Sequence, residues 1–421
     1  MALGKLQDDP DNEAVWNELS EAVTAPGVSN DEVERLLGAA RARHEHRRDW
    51  DAVARMLELE ISFASGSAVE APMQAELARV LHEELVETDR AIQAFKRLLQ
   101  LRPDDPTATE ALENDEAKRA KWSELVARYV AEAAEGDDAF RSSLFASAAD
   151  VAYRYGGEAA LAQVDAHLEQ SLKLDRRNRR AANLAEVVYA HQGKWADVAR
   201  VQRLVLEAGA TKDERVAAGL RLGRTLAKKL HEQEQAVEAM QAVLDNQPGQ
   251  PEALSFLAEA YSTTEQWDHL VALYEDQLRG GGVRPGDEHG ILVQIAMVHW
   301  RMRNNPAAAE PYFDRVRRAD PAHGGMLSFF REVCSEKGDK ARLGTILTDA
   351  QRALPDGAEK RALATEIAKL AESQENAHKA IEQYKQVLRA DPENREAREA
   401  LKRLYTQTEG WNALVELHRQ D

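Results

Sequence analysis

A tryptophan-led phrase returns along this chain at a nearly constant interval. It begins at Trp50, Trp122, Trp195, Trp267 and Trp411, with a further copy at Lys340 that has lost its Trp. Successive copies lie 72, 73, 72, 73 and 71 residues apart. A period this regular is typical of a repeat array, in which each unit packs against its neighbours. We therefore predict one continuous solenoid over residues 1–421 rather than two to four globular domains.

The composition favours helices along the whole chain. Ala, Leu, Glu, Arg and Gln are abundant, aromatic residues make up 6%, and alternating β-branched runs are missing. A hydrophobic content of 43% is enough for a continuous core and argues against disorder. The predicted fold class is all-α.

One period divides into four helices, predicted over residues 195–208, 212–229, 232–245 and 250–263, with Thr211 or Asp213 as the N-cap of the second. The third helix has apolar residues at offsets 0, 1, 4, 7 and 8, which fall on one helical face. This pattern recurs in three copies, which begin at Ala91, Ala236 and Ala380. A proline stands 19 residues before the Trp position in four copies, at Pro103, Pro248, Pro321 and Pro392.

The run Ala380-Ile-Glu-Gln-Tyr-Lys-Gln-Val-Leu-Arg-Ala-Asp-Pro-Glu-Asn resembles the second helix and exit turn of a tetratricopeptide repeat (TPR). Leu363, Ile367, Leu370 and Ala371 resemble its first helix. One period then equals two hairpins of about 36 residues, near the 34 of this family. The resemblance implies an α-solenoid, a right-handed superhelix of about 23 antiparallel helices. It also implies a non-enzymatic scaffold or adaptor that binds a partner polypeptide on its concave face.

The two ends depart from the period. Residues 1–49 form an atypical N-terminal region, with an added helix over 11–24 that could cap the core, then a loop from Thr24 and a helix over 31–46. Five units of about 72 residues follow over 50–410, and 411–421 is a partial terminal helix. The hairpin expected to cover that helix is missing. Either the chain comes from a longer array, or a partner or second copy covers this end.

The charge and the termini narrow the choice of partners. The net charge of −18 disfavours nucleic acid, because like charges repel at long range. No apolar leader and no run of about 18 apolar residues is found, so we expect neither membrane insertion nor a signal segment. Cys334, the single cysteine, lies in an apolar helical run and is predicted to be buried. A cytoplasmic location is the default expectation.

No motif predicts catalysis, a cofactor or a metal. The recurring Trp residues, and Tyr189, Tyr261 and Tyr405 six residues before three of them, are interpreted as packing residues. The glycine-rich stretch from Gly280 lacks the Lys and Ser/Thr of a phosphate loop. His44-Glu-His46, His82 and His231 lack the spacing of a zinc-binding helix. The Lys and Asn set with which some TPRs hold a C-terminal carboxylate is also missing.

The stretch from Asp175 to Arg180 is the most unusual polar segment. It places Arg176, Arg177, Arg179 and Arg180 at the entry to a helix, where the helix dipole disfavours cations, and Arg176 replaces the proline of the other copies. One interpretation is a docking point for an acidic segment or phosphate. The other is an exposed turn neutralised by nearby carboxylates.

Three functions stay open. The first is the protein-interaction scaffold. The second is structural self-association into a ring or filament through the exposed solenoid ends. The weakest is a regulatory fragment of a larger enzyme or complex.

Overall fold

The computed structural model of the protein describes residues 10, 12–24, 30–64, 69–209, 211–280 and 288–419. These residues form 23 α-helices and no strand, so the predicted all-α solenoid class and the helix count are confirmed. The chain divides into two compact units, 1–264 and 265–421, which we describe separately. The single domain over 1–421 and the handedness of its superhelix stay predictions.

The first unit contains fourteen of these helices, named α1 to α14 in chain order. They are Glu13–Thr24, Asn30–Arg47, Trp50–Ala64, Glu70–Arg79, Thr88–Leu101, Pro106–Ala120, Trp122–Glu132, Asp138–Tyr155, Leu161–Leu174, Arg179–His191, Trp195–Ala208, Lys212–Arg224, Gln233–Asn246 and Pro251–Thr263. A π-helical turn extends α4 over Val80–Glu84 and α12 over Thr225–Leu230, and a 3₁₀ turn, Glu158–Ala160, precedes α9. From α2 onward the even-numbered helices are the first helices of hairpins and the odd-numbered ones the second.

The second unit contains α15 to α23. They are Trp267–Arg279, Glu288–Met297, Pro306–Ala319, Gly324–Glu336, Lys340–Ala353, Ala358–Glu372, Ala377–Ala390, Arg395–Gln407 and Trp411–Arg419. A π-helical turn again extends the first helix of a hairpin, over Val298–Met302 after α16.

The predicted boundaries agree closely with these helices. The Trp of each phrase, or Lys340 in its place, is the first residue of a helix. The N-cap of α12 is Thr211, whose hydroxyl accepts from the Glu214 amide in a capping box. Tyr189, Tyr261 and Tyr405 are buried, as is Cys334. The loops that begin at Thr24 and Gly280 fall largely outside the described residues.

The turn inside many hairpins has one construction. The first helix ends on a residue with left-handed φ, and the next amide donates to a carbonyl five positions back. Gly193 has φ of 69° and the Lys194 amide reaches the Tyr189 carbonyl at 2.9 Å. Arg48 takes the same conformation after α2, with φ of 58°. Glycine meets this need without strain, whereas other residues pay a conformational cost.

The added helix α1 packs as part of the first core cluster. Val15, Trp16 and Leu19 are buried together with Leu37 and Ala40 of α2 and with residues of α3. The Trp16 indole donates to the Pro10 carbonyl at 2.8 Å, which fixes the start of the described chain against α1.

Candidate functional site

The C-terminal end of α2 lies against α12 and α14, which are far away in sequence. Nη1 of Arg47 is 3.3 Å from Oε2 of Glu252, a residue 205 positions away. Nη1 of Arg221 donates to the Arg47 carbonyl at 3.2 Å. We call the joining residues the clasp: Arg47, Arg48, Asp49, Glu214, Arg221, Arg224 and Glu252. The clasp connects the first hairpin of the first unit to α12 of its sixth hairpin and to α14.

Two buried carboxylates of the clasp share one arginine. Arg224 forms an ion pair with Asp49, and its Nε is 3.5 Å from Oε1 of Glu252. The second oxygen of Asp49 lies 3.2 Å from Nδ1 of His44, which is also buried. Burial alone raises the pKa of Asp49, but attraction to Arg224 and hydrogen bonds from His44 and Arg224 outweigh it and lower the pKa to about 2.

Glu252 behaves in the opposite way. Burial raises its pKa to about 7, and repulsion from Asp49 acts in the same direction. Arg224, Arg47 and Lys228 attract the carboxylate and oppose this shift without cancelling it. Glu252 is therefore the carboxyl of the clasp that changes charge near neutral pH.

A cavity of about 640 Å³ adjoins the clasp inside the first unit. This volume is in the range of sites that enclose a small molecule or a short chain segment. Helices α3, α10, α11 and α12 supply most of its wall, and residues of both sides of the clasp line it. Its principal side chains are Arg48, Asp49, Trp50, Arg55, Asn183, Glu186, Val187, Trp195, Val198, Gln202, Arg221, Arg224, Lys228 and Lys229.

The charges around the cavity balance. Six of the lining residues are Asp or Glu and six are Lys or Arg. Several are already paired across helices: the Arg221 guanidinium holds the Glu186 carboxylate at 2.7 and 3.2 Å, and Arg55 donates to Glu13 at 2.6 Å. The cavity therefore has no excess of either sign with which to select an ion.

Two side-chain amides lie on the cavity wall between α10 and α11. Nε2 of Gln202 donates to Glu186 at 2.8 Å, while its buried Oε1 has no hydrogen-bond partner among the described residues. Asn183 lies one turn before Glu186 on α10, and in the described part of the chain its amide also has no partner. A buried unpaired acceptor costs about 1–3 kcal/mol, so Gln202 favours a group that donates an N–H.

Aromatic rings and cations form another part of the wall. Trp50 and Trp195 open α3 and α11 and are half-buried. Nζ of Lys229 lies 4.8 Å from the centre of the Trp195 ring, a cation–π distance. The interpretation of the Trp residues as packing residues therefore accounts for most of their surface, but two of them also border this cavity.

The four arginines predicted as a docking point lie elsewhere. Arg176 and Arg177 are exposed in the turn after α9. Nε of Arg179 is 2.9 Å from Glu214 of the clasp, and Nη2 of Arg180 is 2.9 Å from Asp150. Among the described residues that line the cavity, none is one of these four. Two of them are thus paired within the chain, and the docking role stays a prediction.

The remaining sequence candidates have structural partners. His44 faces Asp49, and His82 lies beside Arg154, whose Nη2 donates to the His82 carbonyl at 2.7 Å. Within the described ranges, no group of three or more His, Cys, Asp or Glu side chains is placed to hold a metal ion. No described helix is long and apolar enough to cross a bilayer.

Sequence reasoning missed the clasp and the cavity. A signal was present in the comparison of copies. Gln202 stands seven residues after its Trp, where Leu57 and Leu347 are fully buried in α3 and α19. Arg224 stands where α16 has Met297. The polar residue Gln202 therefore marks the cavity, whereas Arg224 has a counterpart in Arg79, which precedes the π-helical turn of α4, and its position alone does not mark the clasp.

Comparison with known proteins agrees with this architecture. Residues 253–287 and 363–394 each match a tetratricopeptide repeat family. No curated protein matches the chain. Solved structures with a likeness include the C-terminal part of a TPR repeat-containing protein from Cytophaga hutchinsonii, at 16% identity over 61% of this chain and 99% of that chain, with a TM-score of 0.31.

Two others are a tetratricopeptide repeat protein from Parabacteroides merdae and yeast Tom70. The first has 14% identity over 62% of this chain and 98% of that chain, with a TM-score of 0.25. The second has 12% identity over 99% and 89%, with a TM-score of 0.24. At these TM-scores the three structures carry no argument about this chain. The two matched segments and the recurring helical hairpins show a TPR-like helical repeat fold, and proteins with this repeat are generally non-catalytic scaffolds for protein interaction.

Proposed function

We propose that the protein is a non-enzymatic adaptor whose first unit binds a short extended segment of another polypeptide in the cavity beside the clasp. The observation that carries this proposal is Gln202. Its Oε1 is a buried acceptor without a partner in the described chain, and Gln202 is one of the residues that line a cavity of about 640 Å³. A peptide backbone supplies the missing N–H at regular intervals.

The surroundings suit a peptide better than other ligands. Asn183 can donate to a peptide carbonyl beside the N–H that Gln202 accepts. The flat faces of Trp50 and Trp195 suit apolar side chains, since aromatic rings bury much area with few rotatable bonds. A helix with side chains is about 10–12 Å across, which favours an extended segment in a cavity of this volume. The balanced wall charges disfavour nucleic acid there.

The test begins with selection of peptides from a phage-displayed library on the intact chain, followed by calorimetry of the enriched peptides. Gln202→Leu introduces the residue found at the same repeat position in α3 and α19, and Asn183→Ala removes the second amide. Each should weaken binding by about fivefold to tenfold, the value of one hydrogen bond.

The matched control is Ser255→Ala. Ser255 occupies the position of Asn183 one period later, is exposed and lies outside the cavity lining. Its replacement should leave the affinity unchanged. A library that yields no enriched peptide, or peptides that bind Gln202→Leu and Asn183→Ala as tightly as wild type, would refute the proposal.

A second candidate function is self-association through α23. Val415 is 53% exposed and Trp411 is 56% exposed. The residues four positions after the other Trp positions, namely Ala54, Val126, Ala199 and Val271, are all buried. Two exposed apolar side chains one turn apart on α23 suit contact with a second helical surface. If it joins copies of the chain, wild type should sediment as larger species at rising concentration and Val415→Glu as a monomer. A monomeric wild type at all concentrations removes this candidate.

A further inference from the structure

We propose that the clasp is a reversible latch on the cavity. In the open form α2 has moved away from α12 and α14 while the hairpins stay folded, and a proton on Glu252 favours the closed form. This goes beyond the proposed binding function and its test requires no ligand.

Ion pairs and hydrogen bonds cross the seam between α2 and α12. The apolar cluster of α1, α2 and α3 contains no residue of α12, and the cluster of α11, α12 and α13 contains none of α2. The polar contacts described across the seam are made by charged side chains and by one backbone carbonyl. Consecutive hairpins differ, because a single apolar cluster runs from Val126 of α7 to Val201 of α11.

A seam of this kind can open at small free-energy cost. The attraction within a buried ion pair is largely offset by the cost of removing both charges from water, so pairing adds little net stability. Separation returns Asp49, Glu252 and Arg224 to water with their charges solvated. An apolar seam would instead lose about 25 cal/mol for each Å² of surface exposed.

Opening of the clasp would change the cavity directly. Arg48 and Asp49 lie on the α2 side of the seam, and Arg221 and Arg224 lie on the α12 side; all four line the cavity. The wall of the cavity therefore has residues on both sides of the seam that the clasp crosses. Their separation widens the entrance for an extended segment.

The charged groups that face Glu252 determine how tightly it binds a proton. These are Arg47 from α2, Asp49 from the turn after α2, and Arg224 and Lys228 from α12 and its π-helical extension. In the closed form burial raises the pKa of Glu252 to about 7, whereas a solvated glutamate titrates near its ordinary value of 4.5. The closed form therefore binds this proton more tightly, and a lower pH favours closure.

Asp49 does not contribute to the pH dependence of the clasp between pH 5 and pH 8. Arg224 and His44 hold its pKa at about 2 against the effect of burial, so it stays ionised between pH 5 and pH 8. Over this range the ratio of open to closed chains should rise by up to about a hundredfold, as expected for a pKa difference of this size.

The latch can be measured as a distance in the intact chain by double electron–electron resonance. Spin labels at Ala42→Cys on α2 and Lys212→Cys on α12 span the seam, in a Cys334→Ala background. Both labelled residues are exposed and lie outside the clasp. At pH 5 one short distance is expected, and at pH 8 a longer component should appear. Labels at positions 42 and 62, both in the first hairpin, should keep one distance throughout.

Two variants test whether Glu252 is the group whose protonation closes the clasp. Glu252→Gln is neutral at every pH and should stay closed at pH 8. Glu396→Gln, at the same repeat position in α22, should behave as wild type. A single unchanged distance across the seam from pH 5 to pH 8 would overturn the latch. So would a pH response that persists in Glu252→Gln, or an equal change between positions 42 and 62, which would indicate unfolding of the hairpin.

Discussion

Helices α14 and α22 begin at the same position of the repeat, yet their first turns have different surroundings. Glu252, the second residue of α14, is 3% exposed and contacts Arg47 of the distant α2. Glu396, the second residue of α22, has its carboxylate 2.6 Å from Lys369, and both side chains are more than half exposed. The repeat thus determines where a helix begins, while residues that are not repeated determine whether a carboxylate is buried.

The largest difference between the two regions is expected when Arg224, the cation between the buried Asp49 and Glu252, is removed. Arg224→Met introduces the residue of the same position in α16. It leaves Asp49 and Glu252 without their shared partner, so the free energy of unfolding should fall by about 3 kcal/mol, the lower end of the cost of breaking a buried pair, because opening of the clasp lets water reach both carboxylates. Urea denaturation followed by tryptophan fluorescence measures this change.

The matched control at the other position is Lys369→Met. Its ion pair with Glu396 is solvent-exposed, and such pairs contribute about 0–1 kcal/mol. If both variants lose the same small amount, the clasp arginine does not stabilise the first unit and the contrast between the two carboxylates has no energetic meaning.

The two carboxylates should also differ in their response to pH. Folding raises the pKa of Glu252 to about 7, so the folded chain retains a proton that the unfolded chain releases between pH 4.5 and pH 7. The contribution of Glu252 to stability is complete below pH 4.5 and falls by about 2–3 kcal/mol as the pH rises through 7. Denaturation at several pH values should show this slope in wild type and in Glu396→Gln.

The slope should be absent in Glu252→Gln, which cannot ionise. Asp49 acts in the opposite direction at lower pH, because its folded pKa is about 2 and its stabilisation is lost as the pH falls from 3.8 through that value. A slope between pH 4.5 and pH 7 that survives in Glu252→Gln would mean that another group is responsible.

The regular part of the fold could be predicted from the sequence because its causes are local. The Trp phrase, the apolar stripe that begins at Ala236 and the capping residue Thr211 act within one or two turns of their own helix. They placed α11 to α14 within about one residue at most boundaries, apart from the π-helical turn that replaces the end of α12.

The clasp and the cavity could not be predicted in this way. Their contacts join Arg47 to Glu252 and Arg221 to the Arg47 carbonyl over 205 and 174 positions, and no periodic pattern specifies which distant helices meet. The predicted docking arginines illustrate the same limit. Arg179 stood out by charge alone, and its partner Glu214 on α12 became evident only from the arrangement of the helices.

Gln202 allows a further comparison between copies of the repeat, at a residue on which the proposed binding function depends. At the position seven residues after the Trp, Leu57 and Leu347 are fully buried, and Gln202 is buried with one unpaired acceptor. Gln202→Leu should raise the free energy of unfolding by about 1 kcal/mol, because it removes a buried unsatisfied group. Thermal or urea denaturation tests this. A loss of stability would mean that the bond from Gln202 to Glu186 outweighs the unpaired acceptor.

The smallest effect concerns two turns between helices, one beside the clasp and one after α22. Arg48, after α2, and Glu409, after α22, both have left-handed φ, at 58° and 55°. Glycine adopts this conformation freely, so Glu409→Gly should stabilise the chain by about 0.5–1 kcal/mol. Arg48→Gly relieves the same strain but removes the contact with Glu214 at 3.7 Å, so its gain should be smaller or reversed. Equal gains in urea denaturation would mean that Arg48 adds nothing to the clasp and that its conformation alone determines the effect.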